Sequence, residues 1–174
     1  MMKYIGTAIT VILIVIVAII YYGLMTARNK AKQAYFTMDV CLKKRWDFIP
    51  RLVEVVKEYS VFDDLALKKL ISLRVGTFDN LKMEQKLDVD IKMSKVVLKM
   101  LEMAEISPDL KASEEYVKLR KEFFVLENDI TNSIKNYNTV AKKYNEKIKA
   151  VPNNVVAILF GFDEQKVFEH DEKS

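Results

Sequence analysis

The chain has 174 residues, with 28 Lys and Arg against 24 Asp and Glu, one Cys, one His, three Pro and four Gly. A net charge of +4 with both signs interspersed argues against a phosphate-binding stripe for nucleic acid, and a single cysteine excludes an internal disulfide. So few prolines and glycines argue against a turn-rich protein and for long helices.

Residues Ile5 to Leu24, IGTAITVILIVIVAIIYYGL, carry no charge, Asn or Gln. At about 1.5 Å rise per residue they span about 30 Å, the thickness of a bilayer's hydrocarbon core. Such a run satisfies its backbone in lipid only as a helix, and Tyr21 and Tyr22 suit the membrane-water interface. Two other readings compete. A cleaved signal peptide has a shorter apolar region and a small-x-small site, which Met25-Thr26-Ala27 matches poorly. A buried core helix needs a body large enough to cover every face, and the remaining 150 or so residues are amphipathic. The stretch is therefore read as an uncleaved, single-pass anchor. Only Lys3 precedes it, whereas Arg28, Lys30 and Lys32 follow, so the body is expected in the cytoplasm and the short N-terminus outside.

From Met25 to about Val61 only Pro50 interrupts a helical pattern, and it predicts a kink rather than a break. Tyr35, Leu42, Ile49 and Val56 stand seven apart, with Met38, Trp46, Leu52, Val53 and Tyr59 beside them, the mark of a helix packed along a seam. No Pro or Gly cluster separates the anchor from this pattern, so both are expected to form one helix of about 57 residues, some 85 Å long. Phe62-Asp63-Asp64 is the first plausible turn, through an aspartate cap. A second helical segment follows with Leu67, Leu70, Ile71 and Arg74 on one face. A bend or loop is expected at Thr77 to Asn80, and the pattern resumes with Leu87, Ile91, Val97, Met100, Leu101 and Ala104. It stops at Ser107-Pro108-Asp109.

Ser113 is the expected cap of a third long helix reaching about Ala150. Tyr116, Phe123, Ile130, Tyr137, Tyr144 and Val151 form one seam row; Arg120, Glu127, Ile134, Ala141 and Ile148 form the other. Arg120 and Glu127 are polar seam residues, expected to snorkel to its edge. Pro152-Asn153-Asn154 ends this helix and starts a short apolar one, Val155 to Phe160, closed by Gly161. It either covers the end of the bundle or dips into an interface, and covering the bundle is preferred. Three segments of about 37, 44 and 38 residues give an all-α antiparallel bundle, the first and third helices running away from the membrane and the second returning. The expected organisation is 1–24 transmembrane anchor, 25–162 helical bundle and 163–174 charged, mobile tail, with Phe168 as its docking point.

The motifs reached so far resemble the LemA family of bacterial membrane-anchored helical proteins. They are LKKRWDFIPRLVEVVKEY at Leu42 to Tyr59, LISLR ending at Arg74, SPDLKASEEY at Ser107 to Tyr116, LENDI at Leu126 to Ile130, Tyr137-Asn138, and VPNNVVAILFGF at Val151 to Phe162. The chain departs from the family pattern at Arg51, where asparagine is usual, at Phe62-Asp63, where histidine-glutamate is usual, and at Asn153, where glycine is usual. The resemblance implies a helical bundle, an external N-terminus and a cytoplasmic body at the bacterial cell membrane. It implies no defined molecular role.

No catalytic constellation emerges. His170 lies in the charged tail away from Cys41, no Glu-x-x-His spacing suits a di-iron bundle, and no Gly-rich phosphate loop or Cys-x-x-Cys occurs. No cofactor, metal or small-molecule substrate is expected, and the chain is read as a non-enzyme. The motif residues instead suggest a polar layer in which Asp47 pairs with Arg74 and Tyr137 or Asn138 completes it, as a device for helix register. At the membrane-distal tip, Phe160-Gly161-Phe162 is expected to cover the gap opened by the bend at Pro50. The leading functional expectation is a membrane-tethered scaffold whose partners are the lipid bilayer and another protein or a second copy of the chain. The alternative is an accessory subunit of a membrane protease or envelope-remodelling complex, acting through Glu127, Arg120 or the tip.

Overall fold

The computed structural model describes residues 2–57, 64–74 and 76–168. Tyr59 and the expected turn at Phe62-Asp63 lie outside these. Among the described residues every regular element is helical: α1 Met2–Lys57, α2 Asp64–Leu73, α3 Met83–Ala104, α4 Pro108–Ala112, α5 Glu114–Lys149 and α6 Asn153–Phe160, with a short 3₁₀ turn at Phe78–Asn80. The apolar run and the first seam form one uninterrupted helix, α1, which continues through Pro50. Two compact units divide the chain: a terminal unit of Met1–Phe36 with Ile134–Ser174, and a central unit of Thr37–Ser133. Each takes part of α1 and part of α5.

In the central unit the second segment is two helices rather than one. Gly76 adopts φ +84°, a conformation that costs glycine little, and Leu81-Lys82 is extended before α3 begins. Phe78 between them is buried against Trp46, their centroids 5.6 Å apart, with Lys86 Nζ 4.2 Å above its ring. The expected bend is thus a full reversal, fixed by an aromatic plug. Gln85 Oε1 accepts the Lys82 N–H at 2.9 Å and starts α3.

Direction follows from pairs across the unit. The Arg74 guanidinium, just past α2, stacks on Trp46, while Ile71 faces a groove shared with Ile49, Val53 and Lys57, so α2 runs back along α1. Asp39 meets Lys86 and Arg45 meets Asp90, so α3 runs with α1. Arg51 meets Glu122 and Arg45 meets Glu127, so α5 runs against it. The extra reversal makes the unit up-down-up-down, and α5 runs antiparallel to α1 instead of parallel as the three-segment count expected. The seams are well buried: Met38, Leu42, Ile49, Leu52 and Val56 of α1, Met93, Val97 and Met100 of α3, and Tyr116, Phe123 and Ile130 of α5. Ser113 caps α5 as expected, its Oγ accepting the Tyr116 N–H at 3.3 Å.

In the terminal unit α5 again descends along α1: Tyr137 packs edge-on to Tyr35, and Lys147 Nζ donates to the Gly23 carbonyl at 2.8 Å. The core joins Leu24, Tyr144, Ile148, Val156, Ala157 and Phe162, with Val17, Ile20, Tyr21 and Met25 packed against it. Gly161 closes α6 at φ +67°, and the Phe162 N–H donates back to the Ala157 carbonyl at 2.9 Å. That left-handed turn is what delivers the Phe162 ring into the core. Residues 163–168, expected as the start of a mobile tail, run extended along α5 as a strap that ends on buried Phe168.

Candidate functional site

Three apolar stripes in the central unit are each interrupted once or twice by a polar side chain, and the interruptions meet. Arg45 of α1 is 1 % exposed; its Nε lies 3.3 Å from Asp90 Oδ1 on α3 and its Nη2 2.8 Å from Glu127 Oε2 on α5. Ser94, one turn after Asp90, donates to the same Glu127 oxygen at 2.9 Å. The Phe123 ring covers the guanidinium at 5.5 Å. Although the distances are those of ion pairs, none of the Arg45 N–H groups makes an aligned hydrogen bond to a described residue, so the contacts are mainly electrostatic.

One cation therefore faces two carboxylates, Asp90 buried and Glu127 partly exposed. Burial is the dominant influence on Asp90 and pushes its pKa up from 3.8 to about 7; Arg45 pulls it down, and Glu127 adds a further upward push. Below about pH 7 a proton on Asp90 balances the layer's charge, leaving Glu127 as the counterion of Arg45. A second charged pair, Asp39–Lys86 at 2.7 Å, is partly buried within the unit. The layer can fix helix register and hold a proton. Among the described residues no group of three or more His, Cys, Asp or Glu is arranged to hold a metal ion.

The residues expected to form the polar layer are not brought together. Asp47 is exposed and pairs with Lys43 one turn earlier at 3.1 Å. Arg74 lies on Trp46, its guanidinium 5.1 Å from the ring centroid. The expected pairing of Asp47 with Arg74 is therefore corrected: Asp47 stands two positions after Arg45, about 200° around a helix, which puts Asp47 on the solvent side. Tyr137 and Asn138 have a different task in the terminal unit. The Tyr137 hydroxyl donates to the Lys166 carbonyl at 2.6 Å, and Asn138 both donates to the Phe168 carbonyl and accepts its N–H. Asn145 grips Gln165 in the same two-way manner.

Of the polar seam residues, Glu127 points inward to Arg45 and Ser94, whereas Arg120 is half exposed and pairs with Glu105 at 3.0 Å. The tip is also corrected. Phe160 and Phe162 stack edge-on to Tyr21, with centroids 5.0 and 5.7 Å away, beside the end of the apolar run. The groove at Pro50 is faced by Ile71 and Arg74 instead. The reason is the extra reversal at Gly76 to Lys82, which turns α5 around so that its C-terminal end, and α6 after it, lie beside Tyr21 and Gly23 of α1.

Arg45, Asp90 and Ser94 were missed by motif matching, yet a signal existed. Met38, Leu42, Arg45, Ile49 and Leu52 alternate by four and three, as do Leu87, Asp90, Ser94, Val97 and Leu101, and Phe123, Glu127, Ile130 and Ile134. A charge standing on such a stripe marks an inward polar group.

The LemA family profile matches residues 34–174. Protein LemA of Metamycoplasma hominis is 26 % identical over 136 residues, covering 77 % of this chain and 62 % of that protein, so the chain spans less than two thirds of that relative's length.

Proposed function

The chain belongs to the LemA family, and from that premise we propose that it is a membrane-tethered helical scaffold that holds a protein partner or a second copy of itself at the cytoplasmic face of the cell membrane, without catalysis. One observation carries the tether. Between Ile5 and Ile16 the large apolar side chains of α1 stand open on every side, from 45 % exposed at Ile16 to 63 % at Ile14. The same helix is long and apolar enough to cross a bilayer, and only 6 % of its most apolar window is buried. Water does not tolerate such a surface, and lipid does. This argues against the core-helix alternative. The titratable groups nearest to a site, Asp90 and Glu127, are taken up by Arg45, which supports a structural role and leaves Glu127 unsuited to partner capture. The basic residues after Leu24 favour a cytoplasmic body.

Cys41 is buried, so topology needs a reporter elsewhere. In a Cys41→Ser background with Lys118→Cys, a membrane-impermeant maleimide is expected to label the protein only after the membrane is opened. Labelling in intact cells overturns the cytoplasmic placement. Photo-crosslinking of the full chain in membranes is expected to yield a defined adduct, to a partner or to itself. A chain that stays monomeric and uncrosslinked at every exposed position tested overturns the scaffold role.

A further inference from the structure

α6 has too many apolar surfaces for a bundle cap. Val156 and Ala157 face the terminal core, while Val151 just before the helix, and Val155, Ile158 and Leu159 within it, are 82, 64, 83 and 73 % exposed. Val155, Ile158 and Leu159, at i, i+3 and i+4, lie on one face of α6, and Val151 stands exposed in the turn before it. Phe160, half exposed, lies at its border against Tyr21. A short helix that is apolar on both faces is at home neither on a wet surface nor as a simple lid.

Its position identifies the environment. The core that α6 helps to form receives Val17, Ile20 and Tyr21 from the last third of the apolar run, and Phe160 and Phe162 both contact Tyr21. α6 therefore lies alongside α1 at the depth of residues 17–24, where the run reaches its boundary. Lys147, at the end of α5, reaches the Gly23 carbonyl at that same level, and Lys30 lines the adjoining cleft with Tyr22 and Thr26. Cations placed just beyond apolar side chains suit the anionic headgroup region.

We propose that the outer face of α6, with the turn before it, is a lipid-binding surface: Val155, Ile158 and Leu159 of the helix and Val151 of the turn enter the boundary between headgroups and acyl chains beside the transmembrane helix. The proposal rests on the anchor reading, because continuity with the apolar run is what selects lipid over protein as the occupant. Interfacial helices of this kind embed their apolar face by roughly 5 to 10 Å. The foot gives α1 a second point of contact with the bilayer, so the terminal unit is held against rotation about the anchor.

The test uses the full chain in phosphatidylcholine–phosphatidylglycerol vesicles, with Cys41→Ser and one new cysteine carrying an NBD dye. At Leu159→Cys, and independently at Val155→Cys, the emission is expected to shift to the blue and to be quenched more strongly by a nitroxide near the glycerol than by one deep in the chain. At Ile12→Cys the deep nitroxide should quench more strongly. At Lys142→Cys, on the exposed side of α5, neither should. Quenching at Ile12 without quenching at positions 155 and 159 overturns the foot and leaves the anchor standing. Loss of quenching at Ile12 overturns both. Blue-shifted emission at 155 and 159 that no lipid nitroxide quenches means that another protein surface, such as a second copy, covers the face, and it likewise overturns the lipid assignment.

Discussion

The central and terminal units bury polar atoms by opposite means. The central unit neutralises charge with charge: Arg45 sits between Asp90 and Glu127 under Phe123. The terminal unit pairs neutral amides with backbone: Asn138 and Asn145 each give and take one hydrogen bond with a single residue of the 163–168 strap. An ionic layer specifies which helix faces which, but it incurs desolvation that the ion pairs only partly offset. An amide clamp specifies the register of a strap against a helix at little electrostatic cost. Only the first kind of site should therefore respond to pH or gain from apolar replacement.

The largest effect should come from breaking the ionic layer on one side. Arg45→Met leaves Glu127 and Asp90 facing one another without a cation, and is expected to lower stability by about 3 to 5 kcal/mol. Replacing all three, Arg45→Met with Asp90→Leu and Glu127→Leu, removes the unpaired charge and should restore stability or raise it by about 1 to 4 kcal/mol above the parent. Chemical denaturation of the full chain in detergent, followed by Trp46 fluorescence from the central unit, measures both. A triple variant no more stable than the single one would show that the layer is held by packing rather than by charge.

Titration sharpens the same contrast. Because the folded pKa of Asp90 is raised to about 7 above its ordinary 3.8, the folded state binds that proton more tightly than the unfolded one. The stabilisation from this proton is fully present below about pH 4 and is lost as pH rises through about 7, with a limiting slope of about 1.4 kcal/mol per pH unit. Asp90→Asn should flatten this part of the profile. Burial raises the pKa values of Tyr137 and Tyr144 in the terminal unit, keeping both neutral across the window. A profile equally steep in Asp90→Asn would assign the proton to another group.

The sequence made the helices legible and left their directions obscure. The apolar run and the four-three stripes are local, so α1, α5 and α6 follow from them directly. The reversal at Gly76 to Lys82 depends on Phe78 finding Trp46, a contact between residues 32 apart that no periodicity encodes. Without it α5 is expected to run parallel to α1, which places α6 at Pro50, whereas it lies against Tyr21. The polar layer failed for a different reason. Asp47, Arg74, Tyr137 and Asn138 were grouped by motif and height, whereas burial follows helix face, and Arg45 stands on the face that Asp47 does not. Tyr137 and Asn138 do not complete that layer; their partners are backbone atoms of the strap, which side-chain chemistry cannot announce.

The smallest effect tests the neutral half of the contrast. Asn138 and Asn145 are seven residues apart on α5, about 10.5 Å along a helix, and they hold Gln165 and Phe168, three residues apart in extended chain, about 10 Å. The two rises match, so both clamps close without strain, and the Tyr137 hydroxyl takes the Lys166 carbonyl between them. Asn138→Ala should cost about 1 to 3 kcal/mol by leaving the Phe168 N–H and carbonyl unpaired beside a buried ring. Hydrogen exchange should quicken first at the Phe168 amide and less at Gln165, which Asn145 still holds at 2.8 Å. The cost should be the same at pH 5 and pH 8, because no group in the clamp titrates between them. A pH-dependent cost would mean that a charge supports the strap as well, and the division between an ionic unit and an amide unit would fail.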